Sequence, residues 1–174
     1  MQLGHGHVNV SSGYHRLWSH RSYTASVPLR LFLLSGGSSA IQGSCLWWAK
    51  AHRSHHRYTD SDLDPYNSTR GLLWTHVGWI LFKTELRTGA ASVDVSDLNK
   101  DPLVRWQYTW YFLLAMTWGL FVPILVSGYG WGDWKGGVCF VGAARLTLAH
   151  HVERISPNLP NVLSDYAISE HLLH

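Results

Sequence analysis

The stretch from Trp106 to Gly132 constrains the fold of this chain more than any other. It contains 27 consecutive residues without Asp, Glu, Lys, Arg or His. As one helix it would be about 40 Å long, which exceeds the roughly 30 Å hydrocarbon core of a bilayer. The pattern predicts a membrane-spanning helix kinked at Pro123, and the alternative is a buried helix of a soluble protein. Aromatic residues typical of membrane interfaces stand at its ends: Trp106, Tyr108, Trp110 and Tyr111 at one, Tyr129, Trp131 and Trp134 at the other.

A second apolar segment, Val138 to Ala149, follows a turn rich in Gly and Trp and carries Arg145. We interpret it as a helix that runs back into the bilayer and stops early, because Pro157 and Pro160 cannot continue a membrane helix. The chain is therefore predicted to be all-α, with about one full and one or two partial transmembrane helices. The predicted domains are a histidine-bearing cytosolic or interfacial part at 1–105, a transmembrane hairpin at 106–151 and a divergent tail at 152–174.

Five histidines in two short groups carry the main chemical signal. Box one is His15 with His20, and box two is His52 with His55 and His56. Spacings of three and four place the box-two side chains on one face of an α-helix. A separation of five turns an α-helix by roughly 500°, so box one works as a pair only if the helix ends between its histidines. The other possibility is that each box-one histidine serves a different metal ion.

Imidazole is a good ligand for iron, copper, zinc and nickel. The absence of Cys from both boxes argues against a structural zinc site. Five histidines in two groups favour two metal ions, and iron is expected if the site activates oxygen. The alternative is that these are surface or core histidines on basic loops. The remaining histidines are interpreted as non-ligands: His5, His7, His150 and His151 as weak pairs, His171 and His174 as tail residues, and His76 as a packed or hydrogen-bonded side chain.

The segment from Leu31 to Ala49 lies between the two boxes and is long enough to span a bilayer. If it crossed, the boxes would face opposite sides of the membrane and could not share a metal site. We therefore predict a helix that is buried or that lies along the membrane surface.

The charge balance suits anionic partners. The net charge is +3 with neutral histidine, and no run of five basic residues occurs, which argues against a nucleic-acid partner. Basic residues near the boxes are candidates to hold an anionic head group, and the alternative is that they only follow the positive-inside rule. They are Lys50, Arg53, Arg57, Arg70 and Lys83.

Several ordered motifs make the chain resemble the membrane-bound acyl-CoA delta-9 (stearoyl-CoA) desaturases. The run Gly-Tyr-His-Arg-Leu-Trp-Ser-His-Arg-Ser-Tyr at 13–23 is similar to the first histidine box of that family, and His-Arg-Ser-His-His-Arg-Tyr-Thr-Asp at 52–60 is similar to the second. The segment at 130–134 is most like fungal members. The likeness covers about residues 13–151. Further matches in order and spacing are Asp64-Pro65-Tyr66-Asn67, Arg70-Gly71, His76-Val77-Gly78-Trp79 and Ser96-Asp97-Leu98.

The resemblance implies a membrane-bound helical fold and a di-iron centre on the cytosolic side of the endoplasmic reticulum membrane, in a multi-pass protein. It implies a reaction in which O2 and two electrons from cytochrome b5 convert a saturated fatty acyl-CoA into its cis-unsaturated product. The implied iron ligands are His15, His20, His52, His55 and His56. The implied substrate residues are Gln42 and Trp48 near the bend of an acyl tunnel, Lys50 and Lys83 near the CoA group, and Arg70 at another basic position.

The sequence also departs from the family pattern. Four membrane helices, an Asn-Ser-x-x-His element and a third histidine box are expected, and only five of the family's nine histidine ligands match. We expect an incomplete family member, or a reading frame that departs near Val152. Two other interpretations remain: a membrane protein of this shape that binds lipid or a partner without turnover, and a related di-iron lipid hydroxylase. Trp18 and the stretch from Asp64 to Asn67 favour the desaturase over the hydroxylase.

Overall fold

The computed structural model describes residues 9–64, 66–81 and 93–151, and within these ranges it contains helices and no strand. The predicted all-α class is confirmed. Predictions on Lys83, on His5, His7, His171 and His174, and on the tail at 152–174 lie outside the described residues.

Eight helices are labelled in chain order within the described ranges. They are α1 (Val10–Ser19), α2 (Val27–Ser38), α3 (Cys45–Tyr58), α4 (Trp74–Gly78 continued by Trp79–Leu81), α5 (Ser96–Lys100), α6 (Pro102–Thr109), α7 (Tyr111–Trp131), and α8 (Trp134–Gly136, then Gly137–Ala144 and 145–151).

The chain divides into two compact units. The first comprises Met1–His52 with Asp94–His150, and the second comprises Arg53–Val93 with His151–His174. Helix α3 contributes its first part to one unit and its last turns to the other. The division at 1–105, 106–151 and 152–174 was drawn from membrane patterning and stays a prediction.

The core of the first unit is built from α1, α2, α3, α5 and α6. Close packing allows no extra volume at Gly37, because a Cβ there would lie 2.6 Å from the ring of Tyr14. Helix α3 starts where Ser44 accepts a hydrogen bond from the amide of Trp47, as an N-cap does. The buried apolar side chains are Val10, Tyr14, Trp18, Leu33, Leu34, Ala40, Cys45, Ala49, Leu98 and Val104.

A helix of membrane-spanning length and composition is present where the span was predicted, but it begins five residues later than expected. Helix α7 has 21 residues, and only 22% of its most apolar window is buried, unlike the core helix of a soluble protein. Its length of about 31 Å matches the hydrocarbon core. It is the one helix in the described ranges that is long and apolar enough to cross a membrane.

The start was misplaced because charge-free residues at 106–109 belong to α6. The side chain of Asp101 caps α6 by accepting from the amides of Leu103 and Val104, and the helix then runs to Thr109. The helix is interrupted at Trp110, where φ is −98° and ψ is 11°. Because Val104 and Gln107 are buried, α6 is part of the core of the first unit.

The kink expected at Pro123 stays a prediction; the structure has a π-helical turn at Thr117–Phe121, which ends two residues before the proline. Proline has no N–H, so Pro123 cannot donate to the carbonyl of Gly119 four residues earlier. The guanidinium of Arg145 on α8 donates to that carbonyl. This contact accounts for a basic residue in the second apolar helix, which the sequence left unexplained.

The segment from Leu31 to Ala49 is not one helix. Helix α2 ends at Ser38, and a turn with positive φ at Ile41 and Gly43 precedes α3. The prediction of one helix that is buried or lies along the membrane surface is therefore wrong, because this turn divides the segment between two helices. Neither of them is long and apolar enough to cross a membrane.

Candidate metal centre

Three histidines of the first unit converge on one point. The Nε2 atom of His20 lies 3.1 Å from Nε2 of His15 and 3.2 Å from Nε2 of His52. The ring centroids are 4.5, 4.6 and 5.2 Å apart, and each pair of ring planes meets at 81–86°. We call these three residues the histidine triad, and they form a cluster able to hold a metal ion.

The winding of α1 brings the two box-one histidines together. Helix α1 is a π-helix, with hydrogen bonds from each amide to the carbonyl five residues earlier. The amide of His20 donates to the carbonyl of His15 at 2.9 Å, and the helix ends at Ser19, between the two. A spacing of five is therefore close to one turn of this helix, and the two rings lie on one face with centroids 4.5 Å apart.

A bound cation explains the short distances between the Nε2 atoms of the triad better than hydrogen bonds between the rings do. The Nε2 atom of His20 carries either one proton or one lone pair, yet it faces two other Nε2 atoms. A metal ion accepts the lone pairs of all three neutral rings at once, and imidazole is a common ligand for transition metals. The donor set and its convergence therefore fit a bound metal.

Trp48 lies against the triad. Its ring stacks on His52 with centroids 4.8 Å apart and planes 20° apart, and it meets His15 edge-on at 6.2 Å. Lys50 follows on the same helix, and Gln42 lies in the turn before it, both half-buried. Their predicted contacts with substrate stay predictions.

In the second unit, His55 is held by a buried carboxylate. Its Nδ1 atom lies 2.9 Å from both oxygens of Asp64, a fully buried side chain that also accepts from the amides of Asp60 and Tyr66. A histidine that donates from Nδ1 to a carboxylate presents the lone pair of Nε2, which is the usual arrangement of metal-binding histidines. Sequence reasoning noted the Asp-Pro-Tyr-Asn motif but missed this role of Asp64.

The other predicted site residues lie on well-defined elements. His56 comes one turn after His52 on α3. Arg70 ends a short 3-10 turn, places its guanidinium 4.9 Å from the ring centroid of Trp74, and lies 3.8 Å from the exposed carboxylate of Asp62.

His76 and His151 form a second kind of imidazole contact within the second unit. Nε2 of His76 lies 2.8 Å from Nδ1 of His151. The prediction that His76 is hydrogen-bonded is confirmed. His150 lies 2.8 Å from the carbonyl oxygen of Ala40 through its Nε2 atom.

The described helices and the triad define an all-helical protein with one membrane-length helix and a histidine cluster suited to a metal ion. Comparison with known sequences agrees: the profile of the family described as fatty acid desaturase matches residues 2–172. The chain belongs to the fatty acid desaturase family.

Three relatives show where in that family the similarity lies. A probable acyl-CoA desaturase of Schizosaccharomyces pombe is 46% identical over 145 residues, which is 83% of this chain and 30% of that protein. Acyl-CoA desaturase 1 of Saccharomyces cerevisiae is 43% identical over 141 residues, 81% of this chain and 28% of that protein. Stearoyl-CoA desaturase 5 of Bos taurus is 34% identical over 168 residues, 95% of this chain and 50% of that protein. The chain thus spans between about a quarter and half the length of these relatives, and the fungal likeness seen in the sequence is confirmed.

Proposed function

We propose that the chain acts in acyl-CoA desaturation of the stearoyl-CoA 9-desaturase type. In this reaction a saturated fatty acyl-CoA loses one hydrogen from each of two adjacent methylenes and becomes a cis-alkene. One O2 molecule takes up these two hydrogens together with two electrons from cytochrome b5 and two protons, and leaves as water. The observation that carries the proposal is the convergent histidine triad in a chain of the desaturase family.

The proposed metal is iron, as a di-iron centre with His15, His20, His52, His55 and His56 as ligands. When bound, it would supply the activation of O2 and the abstraction of hydrogen. The part played by the chain's own residues follows from their contacts. Asp64 holds the ring of His55 through Nδ1, and Trp48 restricts rotation of His52 by stacking on it.

The proposed substrate residues divide by chemistry. Gln42 and Trp48 would line the acyl chain near the triad. Lys50, Arg70 and Lys83 would attract the phosphates of CoA, because a basic side chain forms charge-assisted hydrogen bonds with phosphate oxygens.

The proposed location is the endoplasmic reticulum membrane, with both boxes on the cytosolic side and lipid around the hairpin at 106–151. The support is α7, whose apolar side chains such as Phe112 and Phe121 are exposed along its length. A surface of this kind is stable in hydrocarbon and costly in water.

The test is a fatty-acid profile of cells in which this chain is the sole delta-9 desaturase. We expect cis-monounsaturated fatty acids from the unaltered chain and none from His55→Ala. His76→Ala serves as the control and should give the profile of the unaltered chain. If the unaltered chain yields no unsaturated product, or if His55→Ala leaves the product ratio unchanged, the proposed activity is wrong.

The same cells separate the two other interpretations. A related lipid hydroxylase would give hydroxylated fatty acids in place of alkenes. A membrane protein that binds lipid without turnover would give neither product and would contain substoichiometric iron after purification.

A further inference from the structure

The buried side-chain amide of Gln107 connects the two helices that carry the triad. We infer that Gln107 is a positioning residue whose carboxamide sets the spacing between α1, which carries His15 and His20, and α3, which carries His52. The inference rests on the proposed function in one respect, namely that the triad holds a metal ion.

Every polar group of the Gln107 side chain is used. Its Nε2 atom donates to the hydroxyl of Tyr14 at 2.8 Å and to the hydroxyl of Ser38 at 2.9 Å. Its Oε1 atom accepts from the backbone amide of Cys45 at 3.1 Å. The side chain is completely buried, so no water competes for these bonds. One amide therefore connects α6 to α1, α2 and α3.

Two of these three partners lead directly to the triad. Tyr14 precedes His15 on α1, and Cys45 is the first residue of α3, two turns before His52. The third partner, Ser38, ends α2, which carries no histidine. The hydroxyl of Ser38 is also hydrogen-bonded to that of Tyr14, so Ser38 reaches α1 only through Tyr14. The network thus contains two direct connections to the helices of the triad and one indirect connection.

Tyr14 is held firmly enough to transmit the position of Gln107. Its ring is fully buried against Gly37, where an added Cβ would lie 2.6 Å away.

A second contact holds α1 one turn further on. The indole Nε1 of Trp18 lies 3.3 Å from Oδ2 of Asp101, the residue that caps α6 and forms an ion pair with Arg30. Helix α6 and its cap therefore hold α1 at Tyr14, just before His15, and at Trp18, between His15 and His20. This fixes the rotation of α1 as well as its distance from α3.

A leucine would fill the volume of Gln107 without the cost of burying an amide. A fully bonded buried amide, in contrast, favours one arrangement of its partners, because any shift leaves a polar group without its bond. The side chain thus stabilises a particular helix spacing in addition to filling space.

The experiment measures Co2+ binding by the purified full chain in detergent, through its affinity and its visible ligand-field spectrum. Tyr14→Phe and Ser38→Ala are matched variants, because each leaves one N–H of Gln107 without its acceptor in the buried network. We expect Tyr14→Phe to weaken Co2+ binding several-fold and to shift the spectrum. Ser38→Ala keeps the direct bond from Gln107 to Tyr14, so it should change the affinity and the spectrum less than Tyr14→Phe does, although the two variants lower the melting temperature by similar amounts. Gln107→Leu removes the connections to both α1 and α3 and should weaken Co2+ binding more than Tyr14→Phe does.

Two results would overturn the inference. In the first, Tyr14→Phe and Gln107→Leu both keep the Co2+ affinity and the spectrum of the unaltered chain. In the second, Ser38→Ala changes the affinity and the spectrum as much as Tyr14→Phe does. If Gln107→Leu does not fold, the comparison of Tyr14→Phe with Ser38→Ala decides alone. Co2+ binding without unsaturated product in cells would refute the proposed activity and leave the inference standing. An unaltered chain that binds no Co2+ would overturn both.

Discussion

The triad and the pair of His76 with His151 contain imidazole nitrogens at similar distances, but their rings are oriented differently. Nitrogen separations are 3.1 and 3.2 Å in the triad and 2.8 Å in the pair. The triad rings meet at 81–86°, whereas the pair's planes differ by 22°.

The orientation decides what each group can do. In the pair, the centroids are 4.9 Å apart although the nitrogens are 2.8 Å apart, so the rings meet tip to tip and do not overlap face to face. One N–H then points along the lone pair of the other ring, as in an ordinary hydrogen bond. In the triad, three rings at right angles aim at a common point. Close nitrogens are thus not sufficient evidence of a metal site, and the number of converging lone pairs is the better guide.

The largest expected effect concerns removal of one triad ligand. His52→Ala should weaken Co2+ binding by more than about 100-fold, which exceeds the cost of losing an outer-shell partner. His76→Ala should leave the affinity unchanged. Titration of both purified variants with Co2+ makes the comparison, and equal losses in the two variants would remove the distinction between triad and pair.

The carboxylate that holds His55 should have the next largest effect. Asp64→Asn removes the charge that orients the ring and should lower the metal affinity by roughly 10–100-fold. Asp62→Asn is the matched control, because the Asp62 side chain is 99% exposed and lies 3.8 Å from the guanidinium of Arg70. Metal content per chain, measured after purification, should fall in the first variant and not in the second.

The stacking of Trp48 on His52 should have a smaller effect. Trp48→Leu removes a ring contact worth about 1 kcal/mol, so the Co2+ affinity should fall less than about tenfold. Trp47→Leu changes the neighbouring, more exposed tryptophan and should have no effect on affinity. A loss in Trp48→Leu as large as that of His52→Ala would mean that the indole supports the whole triad.

The smallest expected effect is on the pair itself. His76→Ala and His151→Ala should each lower the free energy of unfolding by about 1 kcal/mol, the net value of one hydrogen bond. The double variant should cost little more than either single one, because both remove the same bond. Denaturation in detergent measures these values. A Zn2+-dependent rise in melting temperature that persists in His52→Ala and disappears in His76→Ala would show that the pair binds metal.

Several features could be predicted from the sequence because they depend on short-range patterns. The helical spacing within box two, the membrane-length apolar stretch and the family motifs are all local, and the structure or the comparisons agree with them. The hydrogen-bonded state of His76 was also predicted correctly, although its partner His151, which lies 75 residues away, was not.

Other features depended on the tertiary structure. A spacing of five does not fit the 3.6-residue period of an α-helix. No local sequence pattern predicts that α1 is a π-helix, or that Tyr14 and Trp18 are buried in the core. The start of α7 was misplaced because Gln107 lies in a stretch without charges and was counted as part of the membrane helix. In the structure it is a buried, hydrogen-bonded residue of α6. The sequence likewise did not show the partners of Asp64 and Arg145, which are His55 and the carbonyl of Gly119. Sequence alone thus determined which residues could bind metal and cross a membrane. The three-dimensional fold decided which of them meet, because buried polar groups choose their partners from distant parts of the chain.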